Sequence, residues 1–585
     1  MKPFGWFLQH LKKYKVKYSV ALAFYAVGIG LALVNPAVMG MIVNEVFEKN
    51  NRDALLPLLG LLVLAVVVKS VVRYRCLYTF ESVSQSVFRD VRHDFYTRMQ
   101  AQSYKFFDDN KVGDLMARMT GDLEAVRHFV AAVIYMVFEN ILYFLLSLIL
   151  LLTISWELAL SMLFIAPFIG YCSLMQAKKI KPQFANVREQ FSKLNSVCQE
   201  NIAGNRVVKA FTREEFEIEK FTAENQGYYD INNKTTKVWV KYVPRQEFLA
   251  SLMSVFLILI GGLLVAAGRL SLSKLVMANG YLWTMQNPMR LMGWIMNDIQ
   301  RFFSSIEKVY SVMRFKVDIF DKKDAYTPKG KLKGRVEFKD ISFSYTGVSS
   351  SLVLKDISFT AEAGSKIGIV GPTGSGKSSL VSLIGRFYDA TKGEILIDGV
   401  NVKDYKLKEL RKYISSAVQD VFLFSDTIEG NIAYGVPEAS FDDVVDAAKT
   451  ADADAFIRKT EEGYDTIVGE RGVGLSGGQK QRLSLARAIV TDPSILILDD
   501  TTSAVDMETE HSIQTALEEK YSNRTTFIIA HRISSVKSAD KIIVLLDGRI
   551  EEIGSHDELI AKKGYYYGLY IEQYGEVLRM KGVVA

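Results

Sequence analysis

Six apolar stretches, at residues 19–43, 55–72, 129–153, 158–175, 248–268 and 276–297, constrain this chain more than any other feature. Each is near the roughly 20 residues a helix needs to cross the hydrocarbon of a bilayer. Lipid offers no water to backbone N–H and C=O groups, so stretches of this kind cross as helices, which satisfy those groups internally. The composition agrees: 49% of the 585 residues are hydrophobic and 23% are charged, the balance of a chain that is only partly membrane-embedded.

The joints between the stretches are of two kinds. Residues 44–54, 154–157 and 269–275 are short, whereas 73–128 and 176–247 are long, polar and helix-patterned. Six crossings put both ends of the chain on one side. The first 18 residues combine Phe4, Trp6, Phe7 and Leu8 with Lys12, Lys13, Lys15 and Lys17, which reads as an interfacial helix leading into a retained span. Lys and Arg in this segment and in both long joints favour the cytoplasm for them, although Arg269 and Lys274 in a short joint run against that bias. Three cysteines, Cys76, Cys172 and Cys198, lack metal-ligand spacing and are odd in number, so no disulfide framework is expected. The net charge of +6 is spread along the chain, and nothing points to a nucleic-acid partner.

The second half changes character. Residues 371–378, Gly-Pro-Thr-Gly-Ser-Gly-Lys-Ser, follow the apolar run 367–370 as G-x-x-x-x-G-K-S. Glycines there let backbone N–H groups close around phosphates where a Cβ would collide. Lys377 then brings a charge to the β and γ phosphates, and the Ser378 hydroxyl a ligand for Mg²⁺. Gly371, Thr373, Gly374, Ser375, Gly376, Lys377, Ser378 and Ser379 are therefore the candidate ATP-binding residues of this loop. Downstream, 494–498 is near-continuously apolar, as in a strand buried on both faces, and ends in Asp499 and Asp500. Asp499 is placed to hold Mg²⁺ through water. Between them lies Leu-Ser-Gly-Gly-Gln at 475–479, followed by a helical pattern.

These motifs, in this order, resemble the ATP-binding cassette (ABC) family, and the resemblance covers nearly the whole chain. It implies an α-helical membrane domain of six spans with long cytoplasmic extensions, fused to an α/β P-loop ATP-binding cassette. The expected boundaries are 1–312 for the membrane domain, 313–333 for a linker and 334–585 for the nucleotide-binding domain. In the family Ser476, Gly477, Gly478 and Gln479 would serve the γ-phosphate held by a second cassette, so one chain cannot complete an ATP site. Tyr345 matches the aromatic that stacks on adenine, Gln419 the residue joining metal site to transport domain, and His531 the switch histidine. Ser503-Ala504-Val505-Asp506 resembles the family's S-A-L-D loop. Phe106-Phe107-Asp108 with 113–122, and 199–211, resemble the two coupling regions, and 466–472 the exporter-specific loop that meets them.

One departure is informative. The family's catalytic base is a Glu directly after the strand-end Asp, and this chain has Asp500 there, one methylene shorter. Asp500, His531 and Gln419 are thus the candidate catalytic residues, and Ser378, Gln419 and Asp499 the metal set. The departure resembles the degenerate-site subunit of heterodimeric multidrug exporters. It implies ATP-driven export of amphipathic drugs or lipids across the cell membrane, with a second, different half-transporter as partner. A homodimeric exporter of peptide or lipid, and an ATP-gated channel or regulator of the same architecture, stand as alternatives. For the cargo path, Met277, Met285, Met289, Met292 and Met296 recur at helical spacing, and Glu139 and Arg290 lie inside apolar stretches. Each reads equally as cavity lining or as structural packing and pairing.

Overall fold

The computed structural model describes residues 2–348, 351–469, 472–501 and 503–580. The chain forms two compact units, Met1–Gln100 with Lys111–Phe315, and Ala101–Asn110 with Lys316–Ala585.

The first unit is all helical. Its long helices are Lys15–Ile42, Leu55–Gln100, Ile134–Ile154, Trp156–Ala203, Glu214–Ala266 and Leu272–Arg314. Serines set two of the starts: Ser155 Oγ accepts from Leu158 N–H at 3.4 Å, and Ser271 Oγ from Lys274 N–H at 3.3 Å. Gly268, at φ 72°, permits the tight reversal between the last two helices. By length and apolar composition five described helices can cross a membrane, and Leu272–Arg314 is not among them. Asn279, Gln286, Asn287, Arg290 and Asn297 interrupt its apolar character. It nonetheless shares their core: Ala278, Tyr281, Leu282 and Met285 are buried with Leu151, Leu158, Met162, Met253 and Leu257. The methionine stripe divides accordingly, with Met285 fully buried and Met292 exposed.

The N-terminal helix Pro3–Lys12, read as interfacial, turns Phe7 into the protein and leaves Phe4 and Leu8 exposed. The Phe7 ring meets those of Phe302 and Phe129 at 5.0 and 6.1 Å, and His10 Nε2 lies 2.9 Å from Asp94.

The second unit has a six-stranded sheet in the spatial order 549–554, 541–546, 366–370, 525–529, 495–499, 414–417. All neighbours are parallel except the first pair. The middle of the sheet is covered on both faces, and 495–499 and 541–546 are accordingly near-continuous runs of Ile, Leu and Val, whereas the edge strand 549–554 alternates exposed and half-buried residues. A smaller antiparallel sheet of Val336–Phe343, Leu354–Ala361, Lys392–Ile397 and Val400–Asn401 packs beside it. Two segments outside the expected cassette belong to this unit. Much of the stretch read as linker is fastened down, with Tyr326 and Tyr405 pairing as a short parallel bridge and their rings 5.2 Å apart. Ala101–Asn110 also packs here: the Tyr104 ring stacks on Phe387 at 4.7 Å, and Tyr388 Oη donates to Asp108 Oδ2 at 2.6 Å.

Candidate functional site

The parallel strands bring their C-terminal ends to one edge, which is where ligands bind in open α/β sheets. Ile369, Ile529 and Asp499 fall in one row of the register, and Ala417 pairs with Leu498 one step back. The phosphate-loop motif, Gln419, the two strand-end acids and His531 therefore all leave the sheet on the same side, from four strands far apart in sequence.

The loop geometry fits a polyphosphate. Gly376 sits at φ 98°, and a Cβ on Gly371 would meet the Leu545 carbonyl oxygen at 2.2 Å. Lys377 Nζ donates to the loop's own carbonyls, Gly371 O at 2.8 Å and Pro372 O at 2.9 Å. Burial holds the Lys377 ammonium below its ordinary pKa, opposed by Asp499 and Asp500. Ser375 Oγ is buried without a hydrogen-bond partner among the described residues. A buried hydroxyl and a desolvated ammonium on one glycine loop are an unbalanced pair that phosphate oxygens would satisfy.

Asp499 is 8% exposed. Burial raises its pKa, the Ser378 hydroxyl bonded to it works against that, and Asp500 raises it further. Lys377 and His531 are near enough to oppose the rise. Ser378 and Asp499 are thus joined, and a divalent cation would favour the carboxylate that burial disfavours. Gln419, by contrast, stands exposed on the loop after 414–417, with no hydrogen bond to Ser378 or Asp499 among the described residues.

The Asp500 backbone is pinned. Its N–H donates to Ile529 O at 3.0 Å, and its carbonyl accepts from Ser503 Oγ at 3.1 Å and Gln481 Nε2 at 3.4 Å. Its φ of 50° is one that Asp tolerates better than most residues. Tyr345 Oη lies 2.7 Å from Ser379 Oγ, which fixes the ring beside the start of the loop's helix, partly exposed.

The Leu475–Gln479 motif begins the helix Gly477–Ile489. Ser476 and Gln479 cap it reciprocally, Ser476 Oγ accepting from Gln479 N–H at 3.3 Å and Gln479 Oε1 from Ser476 N–H at 2.8 Å. Among the described residues the Ser476 hydroxyl donates to no group, and Ser476 and Gly477 are exposed. A Cβ on Gly478 would strike Ala504 O at 2.8 Å. Among the described residues this helix start makes no hydrogen bond to the phosphate loop of the same chain. Asp506, in the loop after Asp500, caps the next helix by accepting from Thr509 N–H at 2.9 Å. Within 466–472, Glu470 and Arg471 lie outside the described residues.

Sequence reasoning missed Gln573. It sits on the last helix, Tyr565–Met580, and grips both sides of Arg532: Gln573 Nε2 donates to His531 O at 2.8 Å, and Gln573 Oε1 accepts from Ile533 N–H at 2.9 Å. A lone glutamine on a tyrosine-rich helix carries no motif, so no signal in the sequence could have found it.

Fold and site together define a P-loop ATPase joined to a helical membrane domain. Residues 18–289 match the ABC transporter transmembrane region and 354–503 the ABC transporter cassette, and the chain belongs to the ABC transporter family. It is 44% identical over 497 residues to the uncharacterized ABC transporter ATP-binding protein YknU of Bacillus subtilis, covering 84% of each chain. It is 35% identical to an ATP-dependent lipid A-core flippase of Desulfotalea psychrophila, covering 88% of this chain and 90% of that one. Among solved structures it is similar to a bacterial Atm1-family ABC exporter with ATP bound, at TM-score 0.82 and 26% identity over 96% of this chain and 98% of that one. The protein is accordingly a membrane ABC exporter with a cytoplasmic ATP-hydrolysing cassette.

Proposed function

We propose that this chain is one half of a heterodimeric exporter of amphipathic drugs or lipids, and that the ATP site built on its own phosphate loop is slow. The observation that carries this reading is Asp500. Its backbone is held by three hydrogen bonds, so it cannot advance to make up for the missing methylene. In a reaction governed by positioning, a base misplaced by about 1 Å costs on the order of 10²-fold. The exposed, self-capped Ser476 supports completion of each site in trans, with this chain's Ser476, Gly477, Gly478 and Gln479 serving the partner's ATP.

Mg²⁺ would be held by Ser378 and Asp499, with Gln419 closing on it and His531 reaching the γ-phosphate. When bound, the metal neutralises charge on the transferred phosphate. Amphipathic cargo is supported by the lipid flippase relative and by a Bacillus subtilis relative named for multidrug export, 32% identical over 97% of this chain. The segment around Phe106–Asp108, packed with the cassette, is proposed to carry its motion to the spans.

The test is steady-state ATPase activity of the co-purified pair. Asp500→Asn should reduce turnover much less than Glu→Gln at the corresponding position of the partner, whereas Ser476→Ala should impair the fast site. Equal losses from the two acid substitutions would refute the asymmetric mechanism.

A further inference from the structure

We propose that the membrane unit holds a binding site for an amphipathic anion: a phosphate, sulfonate or carboxylate group joined to an aromatic or acyl body. The proposal names a cargo class for the export reading and rests on that reading for the transport step alone.

The helices Trp156–Ala203, Glu214–Ala266 and Leu272–Arg314 border a cavity of about 790 Å³. That is within the range of small-molecule sites. On Trp156–Ala203 its lining runs from Gln176, just past the apolar stretch 158–175, to Arg188; on Glu214–Ala266 from Trp239 to Glu247, just before 248–268; and on Leu272–Arg314 from Arg290, inside 276–297, to Lys308. The cavity therefore reaches from the end of the spans, at Arg290 and Glu247, into the cytoplasmic extensions, where Arg188 stands about 20 Å along its helix beyond the apolar stretch.

Its charge is unbalanced. Of the carboxylates in the lining, Glu247 pairs with Arg290 at 3.4 Å, and Asp122 takes Lys308 at 3.6 Å and the Ser305 hydroxyl at 2.7 Å. Arg188 and Arg301 also line the cavity, and among the described residues neither has a carboxylate within ion-pair distance. Glu124 lies near enough to feel Arg301 but belongs to Arg127, at 2.6 Å. Basic residues at the inner border satisfy the usual topological bias with no ligand at all. These differ in sharing a cavity with two indole rings. Trp239 and Trp294 stand 5.8 Å apart at 56°, and Trp294 is 61% exposed. Guanidinium groups are weakly hydrated and match phosphate, sulfonate and carboxylate oxygens bidentately, while the indoles take an aromatic or acyl body. The same excess charge repels a cationic amphiphile of equal size.

The test uses the full chain in phosphatidylcholine nanodiscs, with 8-anilino-1-naphthalenesulfonate as the anionic probe and rhodamine 6G as the cationic one. Tryptophan quenching reads binding. The sulfonate should bind on the order of tenfold more tightly than the rhodamine, and the double variant Arg188→Gln, Arg301→Gln should lose that preference. Arg188→Lys with Arg301→Lys should restore part of it, and thermal midpoints identify any variant that is misfolded. Competition by added phosphatidylglycerol would assign the anion to a lipid headgroup, and its failure to compete would assign it to soluble amphiphiles. Equal binding of both probes, or sulfonate binding indifferent to the arginines in folded variants, would overturn the proposal. ATP-driven uptake into inverted vesicles separates the two readings: sulfonate binding without uptake would leave this site standing and overturn export.

Discussion

At the scale of single residues, the groups proposed to act in hydrolysis are held through their backbones. Gln573 fixes the backbone on both sides of Arg532, and through it the position of His531, by one donated and one accepted hydrogen bond. Gln573→Ala removes both, and should lower ATPase kcat on the order of tenfold while leaving KM for ATP nearly unchanged. Gln573→Glu keeps the acceptor for Ile533 N–H but not the donor to His531 O, and should fall between. A change in KM alone would show that the contact serves nucleotide binding instead. The phosphate loop and the strand-end acids were legible in the sequence because their chemistry demands fixed residue types at fixed spacing. Gln573 was not, because its role exists only once the last helix folds back over residues 531–533.

At the scale of elements, two packings bear weight. Burial and the bond to Asp108 hold the Tyr388 phenol well above its ordinary pKa, so this hydroxyl is a permanent donor to the Ala101–Asn110 segment. Tyr388→Phe should cost about 1 kcal/mol of local stability, seen as roughly fivefold faster hydrogen exchange across 104–109. Unchanged exchange would mean that the Tyr104–Phe387 stack alone holds the segment. The second packing is His556 against Tyr566, with Nδ1 and Oη 2.8 Å apart. Burial lowers the His556 pKa below 6.5, Lys537 adds to this, and Asp557 opposes it. The folded state therefore binds this proton more weakly than the unfolded chain, and stability should fall as pH drops below 6.5 toward the folded value. His556→Gln should flatten that slope in thermal melts, and an unaltered slope would assign it to other groups. Element content was readable from apolar runs and caps, but not allegiance. Residues 101–110 sit within a continuous polar, helix-patterned joint; the resemblance to a coupling region pointed Phe106-Phe107-Asp108 toward the cassette, but that Phe387 and Tyr388 receive the segment is shown only by the fold.

At the scale of the whole molecule, sequence and fold agree on a helical membrane unit and a P-loop cassette, because bilayer thickness and phosphate chemistry each leave few solutions. The sixth helix was the harder case. Its polar residues dilute the apolar signal, and its packed side becomes plain only beside Leu158, Met253 and Leu257. The same dilution places Arg290 and Asn297 in the lining of the cavity, so two of the residues that weaken the span signal face the proposed binding site. The central claim is that the length of one side chain sets the pace of this chain's own ATP site. It is tested most directly by Asp500→Glu in the co-purified pair whose partner carries Glu→Gln at the corresponding position, so that this chain's own site dominates steady-state ATP hydrolysis at saturating Mg-ATP. With the backbone pinned, the added methylene should bring the carboxylate into reach and raise turnover by on the order of tenfold or more. Turnover no faster than that of the unaltered chain, with ATP binding intact, would contradict the account.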